Sequence, residues 1–131
     1  MKWLTALFVL ILILIVIAAD LGLGPAIFPL IYLLPWGDKA GHFILMGLLS
    51  LLINSVLSAA KVRVFSFNLL KGTIIILAIV TLEELSQLLL IYRRFSFVDL
   101  LFDYLGIILF GFLADYLVNR PDYPKILDNS D

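Results

Sequence analysis

Residues 82–99 read LEELSQLLLIYRRFSFVD. Leu82, Leu85 and the run from Leu88 to Ile91 belong in an apolar environment, whereas Glu83, Glu84, Gln87, Arg93, Arg94 and Asp99 do not. The solvent in which this stretch folds therefore decides the architecture. Hydrophobic residues make up 63% of the chain and the mean hydropathy is +1.15, against roughly 45–50% apolar residues in a soluble globular chain. A chain of 131 residues makes one domain, and one domain of that size cannot hide so much apolar side chain inside itself. Lipid is the solvent that fits. The net charge of −1 speaks against a nucleic-acid partner. With no cysteine and a single histidine, His42, disulfides, thiolate metal sites and His-rich metal centres are excluded. No metal and no cofactor is expected.

Outward from that stretch, the chain resolves into four apolar runs. They predict an all-α integral membrane bundle of four transmembrane helices over about residues 3–19, 42–60, 72–91 and 97–118, forming one domain over 1–131. The first run, bounded by Lys2 and Asp20, is at the short end of the ~17–25 residues that cross a hydrocarbon core. A cleaved signal peptide is the competing reading. The run is long for an h-region of roughly 7–15 residues, and Ile17 fits the −3 position of a cleavage site poorly. Residues 20–37, DLGLGPAIFPLIYLLPWG, carry Pro25, Pro29 and Pro35. Proline removes a donor and interrupts a regular helix, and irregular backbone cannot face lipid. The stretch reads as an apolar interfacial or re-entrant loop, with Tyr32 and Trp36 at headgroup level. A polar link with Lys61, Arg63, Asn68 and Lys71 joins the second and third helices, and the tail 119–131 is polar.

Lysine and arginine in short loops set orientation. Lys2, Lys61, Arg63, Lys71, Arg120 and Lys125 share one side; Lys39, Arg93 and Arg94 share the other. Six against three predicts both termini on the cytoplasmic side. The third helix then climbs outward, with Glu83, Glu84 and Gln87 in its outer half. The fourth descends with Asp99 and Asp103 in its first two turns, and the second starts at Asp38-Lys39-Ala-Gly-His42. Three segments far apart in sequence thus deliver their costly groups to one end of the bundle. Ionisable residues within membrane spans mark a functional site by default.

The spacings agree with a shared site. Glu84 and Gln87 are three apart, Asp38 and His42 four, and Asp99 and Asp103 four, so each pair lies on one helix face. Gly106 and Gly111 continue down the fourth helix, where small residues admit a close neighbour. Asp38, Glu83, Glu84, Asp99 and Asp103 offer five negative charges against three from Lys39, Arg93 and Arg94. Either His42 is cationic or a carboxylate keeps a proton, and the group titrates as a unit. Arg93, with its fork of donors, is the expected organiser and the expected ion-pair partner of Glu84 or Asp99. Read singly, each residue has a plainer explanation: Asp38 and Lys39 as an interfacial anchor, His42 as a helix-end residue, Glu83 as a snorkelling side chain. A structural network that locks the helices together competes with a working site for the whole set.

DKAGHF at 38–43, EELSQ at 83–87, then Arg93, Asp99 and Gly106 resemble the VanZ-like family of small bacterial membrane proteins. That family has a DK..HF motif opening one helix, an E..Q motif in a later one, and then R, D, N and G. The matching positions are Asp38, Lys39, His42, Phe43, Glu84, Gln87, Arg93, Asp99 and Gly106, and the resemblance spans residues 38–111. Asp103 stands where the family often has asparagine, which adds a charge. The family is named for a protein linked to resistance to the glycopeptide teicoplanin, so the resemblance implies a role in the cell envelope of the bacterial cytoplasmic membrane rather than a reaction.

Three functions compete. The first is recognition of an amphiphilic envelope ligand, a membrane lipid or lipid-linked precursor. Lys39 and Arg93 would hold its anionic head, and Gln87 and the carboxylates its amide or hydroxyl groups. The second is an enzyme acting on such a ligand, with His42 or Glu84 as general base, Arg93 as charge stabiliser and Asp99 as orienter; no serine or cysteine nucleophile motif accompanies it. The third is a structural or proton-coupled four-helix protein. The topology is testable at once, because the chain has no native cysteine. With Pro35→Cys and Ser130→Cys in intact cells, an impermeant thiol reagent should label position 35 and not position 130. Labelling of position 130 from outside refutes the orientation.

Overall fold

The computed structural model describes residues 2–27, 29–34, 37–90 and 96–119. Helix α1 spans Lys2–Asp20, and two short helices follow, α2 (Gly24–Ile27) and α3 (Pro29–Leu33). Then come α4 (Gly37–Val56), strands β1 (Lys61–Val64) and β2 (Phe67–Leu70), α5 (Lys71–Ser86) extended by a 3-10 turn over Gln87–Leu89, and α6 (Phe97–Val118). Four stretches, Lys2–Asp20, Gly37–Val56, Lys71–Leu89 and Phe97–Val118, are helical, long and apolar enough to cross a membrane.

The departures from expectation have local causes. The helix expected to open at 42 begins at Gly37, with Asp38 in its first turn, where a carboxylate complements the helix dipole. His42 is therefore not a helix-end residue but lies in the second turn. The same helix stops at Val56 rather than 60, because Ser58 and Ala59 take left-handed conformations (φ 53° and 55°). That conformation is unfavourable for side-chain-bearing residues. It is offset by the Ala59 N–H donating to Asn54 O at 2.7 Å and by burial of Ala59 against Leu70 and Val118.

The polar link is an antiparallel hairpin, with Lys61 opposite Leu70 and Val64 opposite Phe67, so the fold is not purely α-helical. The proline-rich stretch is not a bare loop: α2 and α3 each begin within a residue of a proline, the one helical position where its missing N–H costs nothing. The third long helix leaves α geometry at Ser86, earlier than 91. The fourth keeps its expected bounds, capped by the Ser96 hydroxyl, which accepts from the Asp99 N–H at 3.3 Å. Trp36, Arg93, Arg94 and the tail from residue 120 lie outside the described residues, as does the side chain of Tyr32.

The centre of the fold is the pairing of α4 with α6, the most extensive in the molecule. Contacts rise together along both helices. Lys39 meets Asp99, His42 meets Asp103, Phe43 meets Gly106 and Ser50 meets Gly111; the Phe43 and Phe110 rings also pack edge to face at 6.0 Å, and the Ser50 hydroxyl donates to Ile107 O at 2.7 Å. The two helices therefore run parallel. Gly106 lies directly beneath the Phe43 carbonyl, and Gly47 seats the Phe110 ring. Helix α5 runs the other way, from Asn54, whose amide donates to Thr73 Oγ1 at 3.0 Å, to Ser96 at the head of α6, which Glu84 meets. Ile76, Val80 and Ile107 form the apolar core between them. Gly111 is the junction of all three helices: a Cβ there would lie 2.6 Å from Thr73 Oγ1 and 3.4 Å from Ser50 Oγ. Helix α1 packs on α4 and buries only Thr5 and Leu12.

Backbone cannot yield as a side-chain tip can, so Gly106→Ala should push α4 and α6 apart at a cost of about 1–3 kcal/mol, typical of overpacking. Gly41 faces open space, and Gly41→Ala should instead stabilise by about 0.5–1 kcal/mol through lost chain entropy. Melting curves in detergent for the two variants should move in opposite directions.

Candidate functional site

The parallel α4–α6 pair and the antiparallel α5 bring the start of α4, the start of α6 and the end of α5 to one end of the bundle. On that end an ionic chain runs inward. Lys39 Nζ lies 3.4 Å from Asp38 Oδ2 and 3.4 Å from Asp99 Oδ1. His42 Nε2 lies 3.9 Å from Asp99 Oδ2, and His42 Nδ1 lies 2.9 Å from Asp103 Oδ1. Asp38 at the outer end is 46% exposed, Lys39, Asp99 and His42 are half-buried, and Asp103 at the inner end is 3% exposed. Glu84 is fully buried and within electrostatic reach of His42 and Asp103.

Helical spacing explains the alignment. Lys39 and His42 on α4 are three apart, Asp99 and Asp103 on α6 four apart, and parallel packing sets one pair against the other. The imidazole lies between two carboxylates. An ionised Asp103 can only accept, so Nδ1 carries the proton in their hydrogen bond. Nε2 then faces Asp99 beyond hydrogen-bond length. That contact is attractive only with a further proton on Nε2 or on Asp99. The half-buried Lys39 lies on the other side of Asp99, 3.4 Å from its Oδ1.

Glu84 has a different setting. Its Oε1 accepts the Ser96 N–H at 2.9 Å, so the carboxylate caps the entry to α6. Its Oε2 is buried with no hydrogen-bond partner among the described residues. Gln87 is buried as well, but its amide donates to Glu83 at 2.9 and 3.0 Å. The polar face of α5 therefore divides, with Glu84 turned to α6 and Gln87 held by its own helix. Glu83 is the fixed acceptor of Gln87 rather than a free snorkelling group. Of the residues singled out from sequence, Asp38, Lys39, His42, Asp99 and Asp103 are joined by direct contacts, with Glu84 beside them. The Asp103 carboxylate, not Asp99, orients the imidazole. The expected role of Arg93 lies outside the described residues. Gly106 and Gly111 are the close-approach points of α6. No group of three or more His, Asp or Glu side chains among the described residues is arranged to hold a metal ion.

Sequence reasoning missed a second polar cluster. Asn54 donates to Ser50 O at 3.0 Å and to Thr73 Oγ1 at 3.0 Å, and Ser50 reaches Ile107 O. Ser50 and Asn54 are fully buried, and Asn54 Oδ1 packs on Gly72. Their four-residue spacing inside an apolar run was the available signal. The Thr81 and Tyr104 hydroxyls make a further link between α5 and α6. Both clusters are neutral, and both read as helix locks.

Fold and composition are those of a multi-pass membrane protein with an ionisable cluster at one end of its bundle. Comparison with protein-family models, with curated proteins and with solved structures gives no match.

The two oxygens of Glu84 make a stability prediction. In Glu84→Gln the carbonyl still accepts from Ser96 and the charge is gone, so the melting temperature should hold or rise. Glu84→Leu strands the Ser96 N–H and should cost about 1–3 kcal/mol, the penalty of an unsatisfied buried donor. Equal losses in both variants, read by thermal unfolding in detergent, would contradict the capping role.

Proposed function

We propose that the cluster is a membrane-embedded recognition site for the polar head of an amphiphilic cell-envelope molecule, a lipid or lipid-linked precursor. The carrying observation is the ionic chain Asp38–Lys39–Asp99–His42–Asp103, which leads from the half-exposed Asp38 through half-buried groups to the buried Asp103. Asp99 and Asp38 already engage Lys39, and acceptors outnumber donors among the described site residues. The chemistry favours a head that offers hydroxyl, amide or ammonium donors, its tail lying along the apolar helix faces. The sequence, through Lys39 and Arg93, suggests an anionic head instead, and Arg93 lies outside the described residues. In this reading the protein sits in the bacterial cytoplasmic membrane with both termini inside, residues 20–37 at the interface and the site toward the outer leaflet. The VanZ-like resemblance of residues 38–111 adds a role in tolerance to glycopeptides such as teicoplanin.

A second reading, an enzyme acting on the same molecule, is favoured by one specific contact. The 2.9 Å bond from His42 Nδ1 to Asp103 orients the ring as a general base requires, with Nε2 left outside that bond, 3.9 Å from Asp99 Oδ2.

Two measurements test the proposal. Lipidomic analysis of the purified protein should find an envelope amphiphile enriched over bulk lipid. That enrichment should be lost in His42→Ala and Asp99→Asn variants that keep the wild-type melting temperature; equal enrichment in all three refutes the site. In cells, Glu84→Gln and Arg93→Lys, the latter keeping charge but losing the bidentate fork, should insert and fold normally yet lose glycopeptide tolerance. Full tolerance in both would defeat the functional reading. Conversion of the enriched molecule by the wild-type protein, absent in His42→Ala, would move the assignment to the enzyme.

A further inference from the structure

The hairpin at the other end of the bundle is unexplained by the site. Its register places Val62 opposite Leu69 and Val64 opposite Phe67, and Lys61 opposite Leu70 and Arg63 opposite Asn68. Cross-strand partners share a face. One face is therefore wholly apolar: Val62, Val64, Phe67 and Leu69. The other carries Lys61, Arg63 and Asn68, with Leu70 buried at its base. The polar face is anchored to the bundle, since Lys61 Nζ lies 3.3 Å from Asp115 Oδ2 on α6. On the apolar face Phe67 and Leu69 are exposed while Val62 and Val64 are half-buried, and at the tip Phe65 is 94% exposed. Phe65 also has φ 56°. A two-residue hairpin loop calls for Gly, Asn or Asp at positive φ, and a bulky residue there is strained. The fold thus tolerates strain to hold a phenyl ring where the described protein leaves it almost uncovered. A lone two-stranded hairpin is at best marginally stable in water, and this one needs a surface on which to bury its apolar face.

We propose that the hairpin is a membrane-contact element that dips its Phe65 tip and its Val62/Val64/Phe67/Leu69 face into the headgroup–acyl boundary of a leaflet rich in anionic lipid. The flanking helices α4 and α5 emerge from the bilayer on either side of it, so it cannot be far from the surface. Residues 58–72 contain Lys61, Arg63 and Lys71 and no acidic residue; with Lys61 engaged by Asp115, Arg63 and Lys71 supply the charge that complements lipid phosphates. Aromatic rings seated at headgroup level are the usual interfacial anchors. This inference rests on the reading that the long helices span a membrane.

The test separates the two. In a full-length chain carrying Trp3→Phe and Trp36→Phe, a single tryptophan is introduced as Phe65→Trp, Asn68→Trp or Ile79→Trp. Each protein is reconstituted in vesicles of equal parts phosphatidylcholine and phosphatidylglycerol, doped with lipids brominated at successive acyl positions. Phe65→Trp should be quenched most strongly by the shallowest bromines, Ile79→Trp by deeper ones, and Asn68→Trp hardly at all. Replacing phosphatidylglycerol by phosphatidylcholine should weaken the quenching of Phe65→Trp alone. If Ile79→Trp is quenched while Phe65→Trp matches Asn68→Trp, the hairpin proposal is overturned and the membrane span stands. If neither Phe65→Trp nor Ile79→Trp is quenched, both fall. Quenching of Phe65→Trp that ignores lipid charge overturns the anionic preference.

Discussion

The structure depends on one close approach, Gly106 of α6 beneath the carbonyl of Phe43 on α4. A side chain at that point would run into the Phe43 carbonyl oxygen and would hold the helices apart. With glycine there, parallel helices of similar pitch stay in register over several turns. Lys39 then faces Asp99, His42 faces Asp103 and Ser50 reaches Ile107. Residues about sixty apart in sequence become neighbours through packing alone.

The two ends of this three-helix unit use polarity differently. Toward the ends of α4 and the start of α5, the Ser50–Asn54–Thr73 cluster is neutral and short-ranged. Interhelical hydrogen bonds of this kind contribute roughly 0.6–2 kcal/mol each in a membrane, enough to select one packing without trapping a charge. The opposite end buries Asp103 and Glu84, whose desolvation is far more costly. Neutral side chains could have locked that end equally well. The carboxylates flanking a histidine at that end are the observation on which the proposed recognition site rests.

The outer surface of the four long helices is apolar, as their length and composition suit a membrane. Large apolar side chains such as Leu101, Phe112 and Tyr116 on α6 and Ile79 and Leu82 on α5 point outward, an arrangement that would aggregate in water. Helix α1, apolar almost all round and little buried, fits a span whose main neighbour is lipid. The hairpin extends the same logic to the interface, where period-two alternation replaces the helical stripe.

The sequence alone marked four helices long and apolar enough to cross a membrane, because composition and run length reflect transfer energies that each residue carries independently of its partners. It also marked the ionisable residues, since a carboxylate in an apolar run is conspicuous wherever it folds. It indicated Gly106 and Gly111 as close-approach points through their size. Partnership was another matter. Nothing in residues 83–87 shows that Gln87 bonds Glu83 while Glu84 turns to Ser96, because both directions satisfy helical spacing. Asp103 rather than Asp99 orients His42 because of the axial offset between α4 and α6, and that offset follows from the Phe43–Gly106 contact. The hairpin's alternation, KVRV–FS–FNLL, was present but short, and its lysine and arginine read equally well as a polar link. The early end of α4 at Ser58 and Ala59 rests on Ala59 packing against Leu70 and Val118, residues of β2 and α6. Side-chain chemistry is local and legible; register and burial are set by contacts between distant segments, and only the tertiary structure decides them.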